Sequence, residues 1–124
     1  MRIVVADDDA QVREALIEVL EAAAGLTVVA EVDSADAAIA ACGRLRPEAA
    51  VLDVRMPGGG AAAARGIRAV SSGTRLVAFS AYDEASSRRE MSEAGVDAYV
   101  AKGERSSRLI AVVRELTAES TGER

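Results

Sequence analysis

Five short apolar runs, each followed by a segment of helical period, occupy the chain almost end to end, and this alternation limits its fold more than any other feature. The runs are Ile3 to Ala6, Leu26 to Ala30, Ala49 to Asp53, Leu76 to Ser80 and Ala98 to Ala101. Most are continuous in apolar residues rather than alternating, as in strands that a parallel sheet buries on both faces. Residues 10–23, 35–45, 61–70, 85–94 and 107–117 read as helices; the first carries Val12, Leu16, Val19 and Leu20 on one face, and the last Leu109, Ile110, Val113 and Leu116. Boundary residues agree. Asp33 and Ser34 offer N-caps, Gly25 and Gly95 sit where helices should stop, and Pro47 and Ser71-Ser72-Gly73 mark turns. Five βα units in series predict one doubly wound α/β domain over residues 1–118, with helices on both faces and a polar, fraying tail over 119–124.

Ligands of such a sheet bind beyond the carboxyl ends of the strands, where strand order reverses. Polar side chains gather at that edge. Asp7 and Asp8 follow the first run, Asp53 closes the third, Ser80 closes the fourth and Lys102 follows the fifth. If the first and third strands are neighbours, their acids converge, and each raises the cost of ionising the next. An all-oxygen cluster suits a hard cation, and Mg²⁺ is the usual case. The alternative for Asp7 and Asp8 is a solvated turn, while Asp9, leading into a helix, is expected to cap it.

Composition narrows the chemistry further. The chain contains no His, which removes Ser/His/Asp triads and the usual zinc sites. A net charge of −5, scattered basic residues and 2% aromatic content argue against direct nucleic-acid binding. Cys42, the lone cysteine, is expected to be a small buried hydrophobe. No apolar run approaches membrane-spanning length and the start lacks a signal-peptide pattern, so the expected location is cytoplasmic, away from membranes. Gly58-Gly59-Gly60-Ala61-Ala62-Ala63 formally fits a dinucleotide-binding pattern, but the turn is too long and the strand is not the first of its unit. It is read instead as a flexible loop into an alanine-rich helix.

Four stretches taken together resemble the bacterial response-regulator receiver domain over nearly the whole chain. Val5-Ala6-Asp7-Asp8 is similar to its acidic pair, and Val51-Leu52-Asp53-Val54-Arg55-Met56-Pro57-Gly58 to its phosphoacceptor strand and loop. Val77-Ala78-Phe79-Ser80-Ala81 resembles its switch hydroxyl segment, and Ala94 through Gly103 its switch aromatic, Tyr99, and lysine, Lys102. Val12 to Glu14 and Lys102-Gly103 resemble the NarL/LuxR-type subgroup. The resemblance implies a flavodoxin-like three-layer sandwich with strand order 2-1-3-4-5.

For function, the resemblance implies a two-component phosphoacceptor, a signalling domain that catalyses only its own phosphorylation and slow dephosphorylation. Asp53 would accept a phosphoryl group from a sensor histidine kinase or a small phosphodonor. Asp7, Asp8, Asp53 and the Arg55 backbone carbonyl would hold Mg²⁺, with Mn²⁺ a possible substitute. Lys102 would pair with Asp53 and then with the phosphoryl group, Ser80 would bind a phosphoryl oxygen, and Tyr99 would turn inward. Arg55 and Tyr82 would modulate dephosphorylation by shielding the acyl phosphate. A phosphorylation-dependent homodimer is a possible assembly, through the first and fifth helices or the fourth helix, fifth strand and fifth helix. The subgroup normally continues into a DNA-binding output domain, which these residues do not contain. Departures from the pattern lie in Gly103, where many members carry Pro, and in residues 59–64, which predict a third helix that starts late or packs loosely. The alternative functions are a never-phosphorylated docking module and an Mg²⁺-dependent phosphohydrolase, although Val54 and Arg55 leave the latter without its usual second acid.

Overall fold

The computed structural model describes residues 1–81 and 84–122, with side chains through residue 118. Strands β1 (Arg2–Ala6), β2 (Thr27–Val32), β3 (Ala49–Leu52), β4 (Arg75–Ser80) and β5 (Ala98–Ala101) alternate with helices α1 (Ala10–Ala22), α2 (Ala35–Leu45), α3 (Gly60–Val70), α4 (Ala85–Glu93) and α5 (Ser106–Gly122). All pairings are parallel and the order is β2-β1-β3-β4-β5. β1 and β3 are therefore neighbours, in register from Ile3 opposite Ala49 to Ala6 opposite Leu52.

Alternate residues of each strand feed separate cores, which explains why the runs are apolar throughout. Val4, Ala6, Ala50, Leu52, Leu76 and Ala78 face α2, α3 and α4, where Cys42, Ile67 and Met91 are among the buried partners. Ile3, Val5, Val51, Val77 and Val100 face the other way, against Leu16 and Leu20 of α1 and Leu109 and Val113 of α5. Full burial of a Leu, Ile or Val side chain contributes about 1.5–3 kcal/mol. Both layers are thus anchored to the sheet by several such side chains.

Most boundaries fall within a residue or two of the sequence reading, and four differences have a physical reason. β2 runs to Val32 because the Val32 carbonyl accepts from the Asp7 N–H at 3.0 Å, which extends the pairing past the last strongly apolar residue. β3 ends at Leu52, leaving Asp53 just outside the strand, although its N–H still donates to the Ala6 carbonyl at 2.9 Å. α3 neither starts late nor packs loosely: it begins at Gly60, and Ala63, Ala64 and Ile67 are fully buried. Small side chains there let the helix approach α2, where Ile39 lies against Gly66. α5 continues to Gly122, through residues expected to fray; this last turn has no apolar stripe to signal it, but Ala118 and Glu119 are good helix formers.

No helix among the described residues is long and apolar enough to cross a membrane.

Candidate functional site

The carboxyl ends of β1 and β3 are adjacent, and the acids that follow them meet. One carboxylate oxygen from each of Asp7, Asp8 and Asp53 lies within 4.8 Å of the other two. Asp7 and Asp53 are 1% and 7% exposed, whereas Asp8 faces solvent. Asp9 is not part of the cluster. Its Oδ1 accepts from Gln11 N at 2.9 Å and Val12 N at 3.2 Å, capping α1, and its own N–H donates to Asp7 Oδ1 at 2.9 Å.

Lys102 enters this cluster from the end of β5. Its Nζ donates to Asp7 Oδ2 at 2.8 Å and stands 3.7 Å from Asp53 Oδ1. The expectation that Lys102 pairs with Asp53 is met only at the longer distance, because Asp7 holds the ammonium more closely. Ser80, fully buried at the end of β4, shares this edge, and its carbonyl accepts from the Lys102 N–H at 2.8 Å. Phe79 lies beneath the ammonium, with its ring centroid 5.9 Å from Nζ. The Lys102-Gly103 peptide bond is trans.

Electrostatics single out Asp53. Burial, followed by the nearby Asp7, pushes its carboxyl above the ordinary aspartate value, and Lys102 and a backbone hydrogen bond at Arg55 only partly oppose this. One ammonium thus does not neutralise the cluster. The donors are all oxygens, two of the carboxylates are nearly dry and the third is open to solvent. These residues fit a hard divalent cation held partly by water.

The other expected positions are spread around this mouth. Arg55 points outward, its guanidinium 3.9 Å from Glu84 Oε1 and 54% exposed. Tyr99 is half-buried on β5, opposite Ala78 of β4, and packs against the core shared with Met91. Tyr82 lies outside the described residues. Sequence reasoning missed Arg13 as a support: its Nη1 donates to the Asp7 carbonyl at 2.8 Å and its Nε to Glu31 Oε1 at 3.1 Å. The partner acid sits at the end of β2, so only the tertiary fold reveals that contact.

Comparison with known proteins bears on the family and the fold. The sequence profile of the response regulator receiver domain matches residues 3–114. The transcriptional regulatory protein NarL of Mycobacterium tuberculosis is 38% identical over 85 residues, which are 68% of this chain and 39% of that protein. Response regulator GacA of Pseudomonas viridiflava is 29% identical over 92% of this chain and 54% of its own length. The chain therefore spans about two fifths to just over half of these relatives. Among solved structures, the signal receiver domain of Mycobacterium tuberculosis NarL superposes with a TM-score of 0.88 at 30% identity, covering 94% of both chains. A LuxR-family two-component response regulator from Aurantimonas sp. SI85-9A1 gives 0.90 at 30% identity, covering 95% of this chain and 85% of that one.

Proposed function

This chain belongs to the response regulator receiver domain family, and we propose that it receives a phosphoryl group on Asp53 and converts it into a change of surface. Receivers are signalling domains of two-component systems rather than classical enzymes. The observation that carries the residue assignment is the convergence of Asp7, Asp8 and Asp53 within 4.8 Å, with Lys102 between Asp7 and Asp53. A docking module that is never phosphorylated would have no use for a part-buried cluster of like charges.

Phosphoryl transfer needs little from a protein except positioning and charge neutralisation. An Asp53 carboxylate oxygen forms the new bond to phosphorus while the donor's bond to phosphorus breaks, the donor keeping that electron pair. Lys102 lies 3.7 Å from that carboxylate, so a small movement away from Asp7 brings its ammonium to a phosphoryl oxygen. The Ser80 hydroxyl supplies a second donor on the β4 side. Asp8 and Asp53, with the Arg55 carbonyl, are the direct ligands we assign to Mg²⁺ or Mn²⁺. Both Asp7 oxygens already accept hydrogen bonds, from Asp9 and Lys102, which favours contact through water. When bound, the cation supplies charge neutralisation for the phosphoryl oxygens.

The phosphodonor we assign is a sensor histidine kinase, with small acyl phosphates as substitutes. Tyr99 is the switch aromatic, and Arg55 and Tyr82 shield the acyl phosphate from water. A phosphorylation-dependent homodimer through α1 and α5 is supported by an apolar groove of about 270 Å³ between them, lined by Val12, Leu16, Val19, Phe79 and Leu109. Exposed Glu14, Glu18 and Glu21 on α1 oppose in charge Arg108 and Arg114 on α5 and Arg105 just before it. The central test is intact-mass measurement after incubation with acetyl phosphate and Mg²⁺. One phosphate is expected on the parent and none on Asp53→Asn; a parent that stays unlabelled overturns the reading. On labelled protein, Arg55→Ala is expected to lose the phosphate faster.

A further inference from the structure

Helix α4 is the least apolar helix and is weakly anchored: of its nine residues only Ser87 and Met91 are buried. One residue beyond Ser87, the exposed Arg88 lays its guanidinium over the Tyr99 ring, 4.5 Å from the centroid. Tyr99 also packs against the core cluster containing Ala78 and Met91. Beside the ring lies a pocket of about 250 Å³ lined by Arg88, Met91, Ser92, Val96 and Tyr99. The ring is therefore held on one side by a cation while space for movement lies next to it.

We propose that Arg88 is a positioning residue for the switch: its stack on Tyr99 holds the ring in the resting arrangement and ties α4 to β5, so the ring turns inward only when this contact is released. The proposal rests on the assignment of Tyr99 as the switch aromatic, and Arg88 touches none of the reacting atoms. A guanidinium over an aromatic face is attracted by the ring's quadrupole, and the contact persists in water because the guanidinium is weakly hydrated. Its loss weights the released state by about two- to fivefold, the factor that corresponds to such a contact at an exposed site.

The chain has two tyrosines and no tryptophan, so in a Tyr82→Phe background fluorescence reports Tyr99 alone. In that background Arg88→Ala is expected to make Tyr99 more accessible to acrylamide quenching. Amide hydrogens of residues 88–94 should exchange about two- to fivefold faster, and Arg88→Lys should fall between the two. Combined with Tyr99→Leu, Arg88→Ala should add nothing to that exchange. Unchanged quenching, or faster exchange that persists without the Tyr99 ring, overturns the proposal. None of these measurements uses phosphate. If the phosphorylation reading fails, it fails in the mass measurement while the stack is still tested here.

Discussion

Asp53 carries a cost that its neighbours do not remove. Its carboxyl is pushed upward mainly by burial and then by Asp7, so the folded chain holds that proton more tightly than the unfolded chain does. For an acid shifted upward the linkage has a definite sign: the folded state binds the extra proton, and stability falls as pH rises above the ordinary value of 3.8. Asp53→Asn removes this loss. Without divalent cation, its melting temperature should exceed the parent's at neutral pH, and the gap should close toward acid pH in paired thermal melts. Cys42 shows the same principle without function. It is fully buried, and burial pushes its thiol up to about 11. At neutral pH native protein should resist alkylation by iodoacetamide, and reaction should appear only as the chain unfolds in denaturant.

The segment between β3 and α3 demands glycine for reasons of space as well as backbone angle. Gly58 and Gly59 both have φ of +88°, which other residues rarely adopt, and a Cβ on Gly60 would run into the backbone of Asp53 and Val54. Backbone cannot swing aside as a side-chain tip does. Gly60→Ala should therefore cost about 1–3 kcal/mol and slow labelling of Asp53 by displacing it, while Gly73→Ala, with open space around it, should do neither. Denaturant melts together with intact-mass kinetics on the two variants would show the contrast. The sequence reading of these glycines as a flexible loop misses this, since a run of Gly is compatible with freedom and with tight contact alike. The existence of every strand and helix was legible because strand burial and helical stripes leave a periodic trace. The close packing of α3 and the end of α5 were not, because alanine and polar residues leave none.

At the scale of the whole molecule, the site exists only because β1 and β3 are neighbours. The polar residues at the strand ends could be picked out one by one in the sequence, but their meeting depends on strand order, which came from family resemblance rather than from periodicity. Finer pairing was hidden as well: nothing local to Lys102 shows that Asp7 would hold it at 2.8 Å and Asp53 only at 3.7 Å. The same convergence would make the proposed cation binding a property of the fold. An unfolded chain separates Asp8 from Asp53 by many residues, so a divalent ion held by both binds the native state alone and stabilises it by mass action. At Mg²⁺ one hundred times its dissociation constant the gain is about 2.7 kcal/mol. Thermal melts should move upward with Mg²⁺ in the parent and much less in Asp8→Asn, where a proposed direct ligand loses its charge. Equal shifts in both proteins would mean that the ion is held somewhere other than the mouth between β1 and β3.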